Sequence, residues 1–180
     1  EGFLTVGREI GDAHLVLCGP GVSGVADDPE GGSELSKCDE LWRELPTRER
    51  RRVHLMTVPM DDLEENAVIV NALQTHARVV TQKSIADAFG LTVTEAMWKG
   101  KPIVASNVGG IGEQIHHEQH GLLIDDPRDL ADFGEQIGRM LSEPDLAAEL
   151  GAAAKARFLS EYGPDQHFSR YASLLGTLDA

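Results

Sequence analysis

Asp87 and Glu95 are the residues of this 180-residue chain best placed for chemistry. They stand eight positions apart around Phe89-Gly90-Leu91-Thr92, between an apolar run and a helical pattern. Gly90 has no Cβ, so backbone there can come close to a ligand. The N–H groups of about Leu91 to Val93 would stand unpaired at a helix start. Together with the helix dipole they make an anion site that needs no basic side chain. A diphosphate suits such a site. Asp87, ahead of the turn, could accept sugar hydroxyls, and Glu95, about one turn into the helix, could accept the vicinal hydroxyls of a ribose. The same residues carry a second reading. Thr92-x-x-Glu95 has the spacing of a capping box, in which Glu95 bonds back to the Thr92 N–H, and Phe89 can fill a core. From the residues alone the two readings stand side by side.

Other constellations are weaker. Gly19-Pro20-Gly21-Val22-Ser23-Gly24 matches G-x-G-x-x-G after an apolar run. A dinucleotide site also needs a helix opening at the last glycine. Here Asp27-Asp28-Pro29-Glu30-Gly31-Gly32 follows, which opens no helix and carries carboxylates that repel phosphate. A classical NAD site is therefore not expected. The loop is either ligand-free or approaches a sugar or nucleotide through Gly19 and Gly21. Lys83 could reach a phosphate or be a surface lysine. His116, His117 and His120 lack the glutamate of the zinc-protease pattern and read as a solvated turn before Gly121. Cys18 and Cys38 share no redox or zinc spacing and read as two reduced thiols. No metal site and no nucleophile–base set is assembled by local spacing, and Trp42 and Trp98 read as packing residues.

The elements that must position these residues alternate. Strands are expected at Leu15–Cys18, Val53–Val58, Val79–Thr81, Pro102–Ala105 and Gly121–Ile124. Helices are expected from Gly2 to Ile10, Ser33 to Leu45, from an Asp61 cap to about Ala77, from near Thr92, and from Gly109-Gly110 through Ile115. Three more should close the chain, over Arg128–Leu141, Pro144 to about Ser160 and Pro164 to about Leu178. Such alternation implies a Rossmann-like, doubly wound parallel sheet with helices on both faces. In sheets of that kind ligands bind outside the carboxyl ends of the strands, where the Asp87–Glu95 segment lies.

Length fits a single domain spanning residues 1–180, large enough to need no disulfide or metal staples. Thirty acidic residues against 16 basic ones give a formal charge of -14. That balance discourages a nucleic-acid groove, where Lys and Arg must meet phosphates. No run approaches the roughly 20 apolar residues of a membrane span, and no secretory pattern opens the chain, so a cytoplasmic location is expected.

Asp87 to Met97, Gly100-Lys101-Pro102-Ile103-Val104-Ala105-Ser106-Asn107-Val108-Gly109-Gly110 and Gly121–Ile124 resemble the donor-binding domain of retaining GT-B glycosyltransferases of the glycogen-synthase and sucrose-synthase type. Asp27–Gly31, Asn71–Gln74, Gln82–Ile85, Phe89–Pro102 and Val108–Ile111 are similar to trehalose synthases of the glycosyl-transferring kind, a nearer likeness that covers most of the chain. The resemblance implies the C-terminal half of a two-domain enzyme and a nucleoside-diphosphate glucose as donor, with trehalose or a related glucoside as product and no metal or other cofactor. It places Asp87 at the hydroxyls of the transferred sugar, where the family carries a glutamate. Phe89, Gly90 and Leu91 would offer backbone to the sugar and diphosphate, Thr92 would lie at the phosphates, and Glu95 would hold the ribose. The family's Arg and Lys phosphate clamp and its acceptor-binding domain would fall upstream of Glu1, so the isolated chain should not turn over. A homodimer is left open. The rivals are a GT-B-like phosphorylase or sugar-nucleotide epimerase, and a non-catalytic nucleotide-binding domain.

Overall fold

The computed structural model describes residues 2–6, 11–21 and 31–178. It divides into two compact units, Phe3–His76 and the segment from Ala77 onward together with the first two residues.

The first unit holds strands β1 (Leu15–Pro20) and β2 (Val53–Val58). They pair in parallel from Leu15 opposite Val53 to Pro20 opposite Val58. Pro20 has no N–H to give a ladder. The Gly21 N–H closes it instead, donating to the Val58 carbonyl at 3.1 Å. The described residues of this part of the chain form the helices α1 (Gly2–Val6), α2 (Gly31–Glu44), α3 (Thr47–Arg50) and α4 (Leu63–His76). Of the helix expected over Gly2–Ile10, residues 7–10 lie outside the described residues. Helix α2 is described from Gly31 and so takes in the two residues ahead of Ser33, and Trp42 ties it to β2 by donating its ring N–H to the Val53 carbonyl at 2.8 Å. The cap of α4 is Asp62, not Asp61. Its Oδ1 accepts the Glu65 N–H at 2.9 Å, the bond expected of a residue just before the first turn.

The second unit is built on β3 (Val80–Gln82), β4 (Ile103–Ser106) and β5 (Leu122–Ile124), parallel and adjacent in that order. Helices α5 (Leu91–Trp98) and α6 (Gly110–Gln114) make the two crossovers. The α/β expectation of parallel strands with helical connections holds, with the strands in two sheets. Ile103, Ile111, Ile115, Leu122 and Ile124 are wholly buried, each contributing about 1.5–3 kcal/mol by removal from water. Helices α7 (Leu130–Ser142) and α8 (Pro144–Arg157) follow. Helix α7 turns Phe133, Ile137 and Met140 inward at helical spacing, and its Asp129 cap accepts the Ala131 and Asp132 N–H groups, both at 2.9 Å. A π-type turn, Phe158–Tyr162, leads into α9 (Pro164–Leu178).

This topology puts three connections at the carboxyl ends of β3, β4 and β5: residues 83–90, 107–109 and 125–129. They are the segments in which a ligand site is expected.

Candidate functional site

The β3–α5 connection is a folded loop, and Asp87 holds it. One carboxylate oxygen accepts the Phe89 N–H at 3.1 Å, and the other accepts the Ser84 hydroxyl at 3.3 Å. The Gln82 side-chain amide donates to the same hydroxyl at 2.9 Å. A side chain that accepts the N–H two residues on makes an Asx turn, a natural brace for a tight loop.

The loop rests on the start of α6. A Cβ at Gly109, which has φ +49°, would overlap the Asp87 carbonyl oxygen. One at Gly110 would come within 3.0 Å of the Ala88 carbonyl and of two Phe89 backbone atoms. The Gly109-Gly110 pair is therefore required by an approach from residues 87–89, as well as by its place at a helix start.

Gly90 has φ +82° and ψ 55° and is the N-cap of α5. Its carbonyl accepts the Val93 and Thr94 N–H groups at 3.0 and 3.2 Å. The Leu91 and Thr92 N–H groups precede any intrahelical acceptor, so they are the donors that a helix start leaves for a ligand. With Gly90 at the N-cap, Thr92 sits one residue inside the helix, out of register for the capping box. Phe89 is 47% exposed and does not fill the core. On α5, Val93, Thr94, Ala96 and Met97 are buried, while Leu91, Glu95 and Trp98 face solvent. Glu95 thus stands one turn beyond the N–H groups on the accessible face.

Lys83 is engaged elsewhere in the same cluster of loops. Its ammonium donates to the Pro127 carbonyl, after β5, and lies 5.6 Å from the centre of the Phe133 ring. Asn107, after β4, donates its side-chain amide to Asp125 Oδ1 at 2.9 Å and its N–H to the Ile124 carbonyl at 2.8 Å. Gly19 and Gly21 lie in the other unit, where Gly19 lines a cavity of about 340 Å³ with Cys18, Cys38, Leu35, Met56 and Thr57. The remainder of the glycine-rich loop, residues 22–30, is outside the described residues.

Two residues of the site have no sequence signal of their own. Gln114, only 1% exposed, donates its side-chain amide to the Phe89 carbonyl. Arg157 holds the end of α6, donating to the Gln114 carbonyl from Nε and to the Glu113 carbonyl from Nη2, each at 2.9 Å. The histidines form a turn, as expected. His120 Nδ1 accepts the His116 N–H at 3.3 Å, and His117 Nδ1 accepts the Leu123 N–H at 3.0 Å. His120 titrates below its usual range because it is desolvated and because Arg157 and His116 lie near it. Among the described residues no three His, Cys, Asp or Glu side chains gather as a metal site.

This arrangement is a helix start whose first N–H groups have no intrahelical acceptor, flanked by carboxylates and placed at the carboxyl ends of parallel strands. The family model for "Glycosyl transferases group 1" matches residues 6–157. The chain belongs to this family. Among curated relatives, the trehalose synthase of Thermococcus litoralis is 43% identical over 175 residues, 97% of this chain and 39% of that protein. Among solved structures, the sucrose-phosphate synthase of Thermosynechococcus elongatus aligns with TM-score 0.72 and 28% identity, over 98% of this chain and 42% of that one. An Anabaena protein, HepE, in complex with UDP-glucose aligns with TM-score 0.72 at 16% identity, over 97% of this chain and 51% of that one, a likeness of fold. The chain spans about 40% of the length of the curated relatives it matches. No described helix is long and apolar enough to cross a membrane.

Proposed function

We propose that this chain forms the donor-binding half of a retaining glycosyltransferase that takes a nucleoside-diphosphate glucose and makes trehalose or a related glucoside. The observation that carries the reading is the start of α5. Gly90 turns left-handed there and leaves the Leu91 and Thr92 N–H groups at the end of the strands, one turn before the exposed Glu95. The diphosphate rests on those N–H groups, and Glu95 accepts the ribose hydroxyls. The Asp87 oxygens keep lone pairs for sugar hydroxyls beyond the two bonds that brace the loop. An acceptor hydroxyl then bonds to the glucose anomeric carbon as the bond to phosphate breaks, and its proton passes to the departing diphosphate. Backbone N–H groups fixed beforehand stabilise the charge that develops on that diphosphate. In this reading no metal is needed, the reaction runs in the cytoplasm, and the acceptor is bound by a further domain that closes over the donor and excludes water.

Titration calorimetry with UDP-glucose and ADP-glucose tests the reading. Binding by the chain is expected, and Glu95→Ala should abolish it while leaving the circular dichroism spectrum and thermal midpoint in place. If Glu95→Ala lowers only stability and leaves nucleotide binding intact, the assignment of the ribose contact is wrong. Failure of every nucleotide-glucose to bind removes the donor site altogether.

A further inference from the structure

The Phe89–Gly90 peptide has two possible orientations, and only one of them suits an anion. Glycine adopts positive and negative φ about equally readily. A half-turn of this peptide would carry Gly90 from φ +82° to the negative side, a region glycine also adopts. In a trans peptide the carbonyl and the following N–H point in opposite directions, and the described residues contain no cis bond. One orientation offers the Gly90 N–H next to those of Leu91 and Thr92. The other turns a carbonyl oxygen toward the same place and repels phosphate.

What selects between them is the buried amide of Gln114. It donates to the Phe89 carbonyl and so holds that oxygen inward. The Gln114 oxygen has no hydrogen-bond partner among the described residues, so this side chain is held by its donor end alone. No hydrogen bond of the described residues uses the Gly90 N–H, and in a trans peptide it points opposite to the Phe89 carbonyl that Gln114 holds. Gln114 is itself fixed, because α6 ends on the two Arg157 bonds to its last carbonyls.

We propose that Gln114 is a positioning residue for the donor diphosphate: it locks the Phe89–Gly90 peptide with the Gly90 N–H turned outward, which adds a third donor to the anion site. The inference rests on the donor-site reading above. A glutamine is needed rather than a glutamate, because a carboxylate would be repelled by the Phe89 carbonyl and would take up the Gly90 N–H once the peptide turned over.

The test titrates UDP-glucose and uridine into the wild-type chain, Gln114→Leu and Gln114→Glu across roughly pH 5 to pH 8, the interval in which a desolvated glutamate can titrate. Loss of a hydrogen bond to a charged group should weaken UDP-glucose roughly 10- to 100-fold in Gln114→Leu and leave uridine unchanged. Gln114→Glu should bind UDP-glucose near the wild-type level at low pH, where its protonated carboxyl donates to the Phe89 carbonyl, and lose it as pH rises. Should Gln114→Leu not fold, the Gln114→Glu profile carries the test. A pH-independent Gln114→Glu, or equal losses for UDP-glucose and uridine, would overturn the proposal while leaving the donor site standing. Failure of the wild-type chain to bind UDP-glucose would remove the donor site itself, and the proposal with it.

Discussion

Gly90→Ala should be among the more costly single methyl additions in the second unit, and its cost can be worked from two separate terms. The first is backbone strain. At φ +82° an alanine occupies the left-handed region, at about 1–2 kcal/mol. The second is overpacking. The new methyl would lie 2.7 Å from Ile111 Cγ1, whose helix sits against the core, and forced overpacking typically costs about 1–3 kcal/mol. Lower entropy of the unfolded chain offsets about 0.4–1 kcal/mol of this. The sum is about 3 kcal/mol, and at about 2–4 °C per kcal/mol for a chain of this size the thermal midpoint should fall by roughly 10 °C. The control is Gly11→Ala. Gly11 also has positive φ, at +63°, but nothing lies within 4 Å of its added methyl. It carries the strain term alone, leaving about 1 kcal/mol after the same offset. Urea unfolding of both variants, with the midpoint read by fluorescence and circular dichroism, separates the terms. If Gly90→Ala costs no more than Gly11→Ala, the Ile111 wall yields freely, and the claim that α6 pins the β3–α5 loop is refuted.

Removing the α7 cap by Asp129→Ala should cost about 1 kcal/mol, since both the Ala131 and the Asp132 N–H groups lose their acceptor; an unchanged urea midpoint would show that solvent replaces the cap. Stability should also fall on acidification through His120. Its folded-state pKa lies below the ordinary 6.5, so the unfolded chain takes up a proton first, and stability present above about pH 6.5 declines as pH drops below it. Between roughly pH 7.5 and pH 5.5 the urea midpoint of wild type should fall relative to that of His120→Gln, and parallel curves would show that another group controls the slope.

How far the sequence could be read depended on whether the cause of each feature was local. Val53–Val58 is read to the residue because its apolar run is bounded by Arg52 and Pro59. Leu15–Cys18 is two residues short because Gly19 and Pro20 look like a loop, and only the parallel partner Thr57-Val58 makes them strand. The four-residue α3 carries no periodicity to read. Adjacent acids at 61 and 62 cannot be told apart by spacing, and the bond to Glu65 decides for Asp62. The segment from Asp87 to Glu95 was legible in its parts. Gly90 at a helix start and Glu95 one turn on follow from local pattern. The register of the helix by one or two residues, which rules out the capping box, does not. Gln114 was invisible for a plainer reason. A glutamine in a five-residue helix reads as a surface side chain, and its partner Phe89 lies 25 positions away.

The Asp in place of the family's glutamate at position 87 acquires a physical meaning from these contacts. A carboxylate reaches the N–H two residues on when it sits on one methylene, as in an Asx turn. Asp87 does this to Phe89 and takes the Ser84 hydroxyl with its other oxygen. A glutamate would extend one methylene farther toward a sugar and would no longer close that turn. The short side chain therefore trades reach for rigidity in the loop that presents Gly90. Lys83 donates to the Pro127 carbonyl, which holds its ammonium toward the loop after β5. In the proposed reading the start of α5 meets phosphate with oriented backbone. That makes the orientation of single peptides, the Phe89–Gly90 unit first among them, matter more here than it would beside a cluster of basic side chains.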